Sequence, residues 1–95
     1  MSYEVYRTEE FIEWFATLID REQGRLNTRI ANIEDYAHFG DYKHLASALF
    51  ELRWKNGTRI YFAKIENKII LLYGGRKNEQ KKDIKKAKIL LGRYA

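Results

Sequence analysis

At 95 residues, with no stretch of linker composition, the chain has room for one domain, residues 1–95, around a modest core. Cysteine is absent, which excludes a disulfide scaffold, a thiolate metal site and a cysteine nucleophile, and fits a reducing cytoplasm. Eighteen Lys and Arg against thirteen Asp and Glu leave a formal charge of +5, the balance of a protein that meets nucleic acid or an acidic protein.

Tyr3, Val5 and Arg7 alternate with Glu4 and Tyr6 in a run of β formers, and Thr8 offers an N-cap hydroxyl before Glu9 and Glu10, which predicts a strand and then a helix. Phe11, Trp14, Phe15, Leu18 and Ile19 follow the spacing of an apolar helix stripe and are assigned to the core. Asp20 to Gly24 is expected to break the chain before a second helix, antiparallel to the first, carrying Leu26, Ile30, Ile33 and Ala37. From Ala48 the period becomes two, with Phe50, Leu52 and Trp54 on one side and Glu51, Arg53 and Lys55 on the other. Asn56-Gly57 is a strong hairpin signal, because both residues tolerate positive φ. A return strand runs from Arg59 to Ile65, Glu66-Asn67-Lys68 turns again, and Ile69 to Tyr73 forms another strand, ended by Gly74-Gly75. Asn78 is the expected N-cap of a Lys-rich last helix containing Ile84, Ala87, Ile89 and Leu91. The fold class is therefore α+β, ordered β-α-α-β-β-β-α, with an antiparallel sheet packed against helices.

Most acids lie in the first half, whereas Arg53 to Arg93 is basic apart from Glu66, Glu79 and Asp83, so a polyanion is expected on the C-terminal half. The bland reading of Lys81, Lys82, Lys85, Lys86 and Lys88 is a solvated helix face. No N-terminal stretch resembles a signal peptide, and apolar runs such as Ile69 to Tyr73 are too short to cross a bilayer, so a soluble cytoplasmic protein without membrane contact is expected.

Four segments occur in order: Gly40-Asp41-Tyr42-Lys43, Glu51-Leu52-Arg53, Gly57-Thr58-Arg59-Ile60-Tyr61-Phe62, and Gly74-Gly75-Arg76-Lys77-Asn78-Glu79-Gln80 followed by Asp83-Ile84. Together they resemble the addiction-module killer, or HigB-like, branch of the RelE/ParE toxin superfamily, over nearly the whole chain. Thr58 departs from the pattern, where an aromatic residue is common. The resemblance implies the toxin of a type II toxin–antitoxin system, usually an endoribonuclease that cuts mRNA on the ribosome. It also implies a cognate antitoxin, commonly of helix-turn-helix type.

Metal-free RNA cleavage through the 2′-hydroxyl needs fixed cations around the phosphorane, and the planar, permanently charged Arg fork suits that task. Arg59 and Arg53 take this role, and Lys77, beside Arg76, is the candidate to exchange a proton as acid or base. Arg76, Tyr61, Gln80, Lys43 and Lys81 are the further RNA-binding candidates. Tyr61 reads equally as a sheet-packing residue, Gln80 as a capping residue, and each arginine as a strand residue paired with a neighbouring acid. A two-residue Asn56-Gly57 turn would pair Trp54 with Arg59 and put Arg53 and Arg59 on opposite faces; a bulge or longer loop is needed for both to serve one site. His38 and His44 flank a loop and match no family position, and neither metal ligands at usable spacing nor a glycine-rich phosphate loop occurs, so no metal or cofactor is expected. Two other functions remain open: a ParE-like inhibitor of DNA gyrase and a non-catalytic nucleic-acid-binding module.

Overall fold

The computed structural model describes residues 2–94. The elements are β1 (Glu4–Arg7), α1 (Glu9–Ala16), α2 (Asp20–Tyr36), β2 (Tyr42–Ala46), β3 (Leu49–Arg53), β4 (Thr58–Ile65), β5 (Lys68–Arg76), a 3-10 turn (Lys77–Glu79) and α3 (Gln80–Gly92). The class is α+β, with three helices on a five-stranded sheet of order β1-β5-β4-β3-β2.

Two features differ from the expected layout. Tyr42–Ala46 is an additional edge strand antiparallel to β3, and β1 runs parallel to β5, so the sheet is mixed. The extra strand carries no alternation to betray it: Tyr42, Lys43 and His44 are all exposed, as a lightly covered edge strand permits.

Local chemistry sets the helix ends. The Thr8 hydroxyl accepts from the Phe11 N–H at 2.9 Å and donates to the Leu72 carbonyl at 2.8 Å, which caps α1 and fastens it to β5. The break between the helices falls at residues 17–19, earlier than Asp20 to Gly24. Gln23 donates its amide to the carbonyls of Phe15 and Leu18, which ties the turn after α1 to the start of α2. Asp20 and Glu22 thereby occupy the first turn of α2, where negative charge is favoured, and Ile19 is solvent-exposed. Asn78 lies in the 3-10 turn, and Glu79 is the N-cap of α3, its side chain turned to Lys82 and making no capping hydrogen bond among the described residues.

The sheet is apolar on both faces. Phe11, Leu26, Ile30 and Ile33 pack on Leu52, Ile60, Phe62, Ile69 and Leu71 from the α1 and α2 side. Ala87 and Leu90 of α3 pack on Leu49, Tyr61, Ala63 and Leu72 from the other, while Ile89 faces solvent. A bulge at Leu72, between the pairs Phe62–Leu71 and Tyr61–Tyr73, breaks the alternation and puts the adjacent Leu72 and Tyr73 on the same α3-side core. Gly74 and Gly75 continue β5 and do not end it. A Cβ at Gly74 would stand 2.2 Å from the Trp14 ring, and one at Gly75 would stand 1.9 Å from the Asp83 carboxylate, so the pair lets α1 and α3 approach one strand from opposite faces. Among the described residues no helix is long and apolar enough to cross a membrane.

Candidate functional site

The β3–β4 hairpin decides which side chains meet. Trp54 N–H donates to the Thr58 carbonyl and Gly57 N–H to the Trp54 carbonyl, each at 3.0 Å, so the loop is Lys55-Asn56-Gly57, with Gly57 at φ +99°. The two-residue turn expected at Asn56-Gly57 is thus one residue longer. Asn56 Oδ1 accepts from the Thr58 N–H at 3.0 Å and leaves Gly57 to take the left-handed position. The added residue pairs Arg53 with Arg59 directly and brings both to the sheet face that carries α3.

Glu51, 0% exposed on that face, lies beneath the two arginines. Its Oε1 stands 3.8 Å from Arg59 Nε and accepts a hydrogen bond from the Gln80 amide, and its Oε2 stands 3.9 Å from Arg53 Nε. The arginines are unequal. Arg59 is 7% exposed, and its Nη1 donates to the carbonyls of Trp54 and Thr58 at 3.1 and 3.0 Å, bracing the hairpin. Arg53 keeps 40% of its side chain open to solvent. Arg53 is therefore the arginine open to solvent on this face, and Arg59 lies beneath the surface.

Tyr61 is fully buried in the α3-side core, and among the described residues its hydroxyl has no hydrogen-bond partner. Burial and the nearby Glu51 and Asp83 charges hold that phenol well above its ordinary range. Asp83, 4% exposed against Gly75, is likewise raised, first by burial and then by Glu79.

Lys77 is exposed at the same end of the sheet, where its N–H donates to the Gly57 carbonyl at 2.8 Å and ties β5 to the hairpin loop. Gln80 bridges from α3 to Glu51. Lys43 pairs with Glu51 from the edge strand and therefore shares its face, and Lys81 is exposed on the first turn of α3. Arg76 stands apart from this group. It pairs with Thr58 in the alternate register, and its charge acts on Glu22, on the α2 side of the sheet.

Sequence reasoning gave no role to four contributors. Glu22, at the start of α2, accepts from Thr58 Oγ1 at 2.8 Å and from Asn56 Nδ2 at 3.2 Å, so it clamps the hairpin. The Thr58 hydrogen bond, with smaller help from Asn56, Arg25 and Arg76, holds its carboxyl below the usual range. Arg29 stacks over the Trp54 ring at 4.1 Å and donates to the Arg53 carbonyl at 2.7 Å. Glu51 and Asp83 entered the sequence reading only as members of motif segments, without a role of their own, and no local signal marks either as buried.

Residues 13–95 match the protein family described as "Phage derived protein Gp49-like (DUF891)". The chain belongs to this Gp49-like family, a RelE-like toxin family. An uncharacterized protein of Haemophilus influenzae is 38% identical over 95 residues, which span 95% of this chain and 94% of that protein. Solved structures share the architecture. The RelBE2 toxin–antitoxin complex of Mycobacterium tuberculosis aligns with a TM-score of 0.67 at 13% identity, over 80% of this chain and 99% of the other. The RelB–RelE complex of Methanococcus jannaschii aligns at 0.69 with 12% identity, over 81% and 95% of the two chains. A mutant of Escherichia coli RelE in the free state aligns at 0.68 with 12% identity, over 90% and 97%. At these identities the likeness is one of fold: the Gp49-like chain has the fold of the RelE toxins.

Proposed function

We propose that this Gp49-like protein is the toxin of a toxin–antitoxin pair and that it cleaves mRNA without a metal ion, in the cytoplasm and on the ribosome, as its HigB-like motifs imply. The observation that carries the reading is the hairpin register. It sets Arg53 against Arg59 on one face, with Lys77 at the same end of the sheet and Lys43 and Lys81 on the flanking elements. A row of cations beside an open strand fits a phosphate backbone, and neutralising phosphates supplies most of the affinity for RNA.

In the proposed reaction the 2′-oxygen attacks the adjacent phosphorus, its proton passes to water, and the bond from phosphorus to the 5′-oxygen breaks. The products are a 2′,3′-cyclic phosphate and a 5′-hydroxyl. Arg53 pairs with the phosphorane oxygens, and Arg59 adds positive potential from beneath. The Lys77 ammonium gives its proton to the departing oxygen. Lys43, Lys81, Gln80 and Arg76 hold the flanking RNA, Arg76 from the strand end that leads to the α2 side. Tyr61 acts from inside the core as the floor of the site. The partner is a cognate antitoxin of helix-turn-helix type. Two of the solved relatives of the same fold are toxin–antitoxin complexes, which supports a protein partner.

The test is induction of the protein alone in growing bacteria, with mapping of new RNA 5′ ends, beside cleavage of a defined RNA by purified protein in chelator. Cuts within translated frames that vanish in Arg53→Ala and Lys77→Ala are expected. Growth arrest with DNA damage and no new ends would replace the reading with gyrase inhibition.

A further inference from the structure

A carboxylate buried in a sheet face is costly, and a buried ion pair is a weak source of stability whose better-attested use is to fix an arrangement. Glu51 occupies such a position. Its neighbours on the same face, Leu49 on β3 and Tyr61 and Ala63 on β4, belong to the apolar core under α3, where an aliphatic side chain would pack without penalty. The carboxylate instead meets three side chains from three elements: Arg53 of β3, Arg59 of β4 and Gln80 of α3. Among the described residues Glu51 is the ionic partner of Arg53, whose Nε has no hydrogen bond. Arg59 is held independently by two backbone carbonyls, so the arginine whose placement depends on Glu51 is the exposed one.

We propose that Glu51 is a positioning residue that aims the Arg53 guanidinium over the open face and, through Gln80, locks the start of α3 to β3. The inference rests on the ribonuclease reading for its catalytic consequence, but its geometric part stands apart from it. An unanchored arginine still attracts RNA by its charge, yet it spends little time where the phosphorane forms. Loss of Glu51 should therefore act on turnover and leave binding nearly intact, since misplacement by an ångström costs about a hundredfold in rate.

The experiment compares wild type, Glu51→Gln and Glu51→Asp by thermal melting, by single-turnover cleavage of a defined RNA, and by NMR of the arginine Nε–H groups. In wild type the Arg53 and Arg59 Nε–H signals should be resolved and slow to exchange. In Glu51→Gln the Arg53 signal should broaden or vanish, kcat should fall about ten- to a hundredfold, and KM should stay within about threefold. Glu51→Asp, which keeps the charge one methylene back, should recover part of the loss. Should Glu51→Gln fail to fold, Gln80→Met replaces it, judged by the Arg53 Nε–H signal alone, which should broaden through release of Glu51 from α3, because Gln80 also meets RNA. An Arg53 signal unchanged in a folded variant overturns the proposal, and so does unchanged kcat in a cleaving enzyme. A wild type that cuts no RNA overturns the ribonuclease reading alone, because the arginine signals still judge whether Glu51 holds Arg53.

Discussion

Removing the Glu22 clamp tests whether the hairpin that carries Arg53 and Arg59 is held from α2. Glu22→Ala deletes the acceptor of Thr58 Oγ1 and Asn56 Nδ2 and leaves the Thr58 hydroxyl, 2% exposed, without that partner. A hydrogen bond to a charged group contributes about 1.5–3 kcal/mol, so losing two gives about 3 kcal/mol or more. Against a total stability of about 5–15 kcal/mol the loss is large. At about 4–8 °C per kcal/mol for a domain of this size, the melting temperature should fall by roughly 12–24 °C. The pH dependence supplies an independent check. Because the folded-state pKa of Glu22 is depressed, first by the Thr58 hydrogen bond, its stabilisation is complete above the ordinary carboxylate range and disappears as pH falls through the depressed value. Urea unfolding of wild type and Glu22→Gln should therefore show a constant gap from about pH 6 upward that closes below about pH 4. A gap under about 0.5 kcal/mol at pH 7, or one that does not close in acid, refutes the clamp.

Four further outcomes follow from the geometry. Gly74→Ala drives a methyl to 2.2 Å from the rigid Trp14 ring and should destabilise the chain by about 1–3 kcal/mol in urea unfolding, with a smaller loss when Trp14 is Leu. Gly75→Ala displaces the Asp83 carboxylate and should lower cleavage more than Gly74→Ala does at matched stability; equal effects would count against a link between Asp83 and the site. Asp83 has a raised folded pKa through burial, so its contribution is complete below the ordinary carboxylate range and lost as pH rises through the raised value. Asp83→Asn should accordingly gain on wild type in melting temperature as pH is raised from about 4 to 8. Arg29→Leu removes the stacking on Trp54 and the bond to the Arg53 carbonyl, and should cost about 2 kcal/mol by urea unfolding; a loss within about 0.5 kcal/mol would show that Arg29 does not brace the hairpin.

Much of the fold is legible because its signals are local. The Thr8 cap, the Leu26–Ile30–Ile33 stripe and the alternation of β3 each reflect contacts within a few residues, and each occupies the expected place in the structure. β2 escaped because an exposed edge strand has no buried face to impress a period of two on its sequence. Gly74-Gly75 read as a strand end because glycine marks chain ends more often than close packing. Only the positions of Trp14 and Asp83 reveal the packing role.

The sequence alone determined the α+β class, the likeness to RelE-type toxins and the cationic character of the C-terminal half, since composition, periodicity and motif order are properties of the chain itself. Tertiary structure decided what those cations can reach. Whether Arg53 and Arg59 share a face turned on one residue of loop length, set by Gly57 at positive φ and by the hold of Asn56 and Glu22 on Thr58. Which arginine meets solvent was decided by two backbone carbonyls and a buried Glu51, partners whose distances depend on how strands and helices pack and leave no trace in residue order.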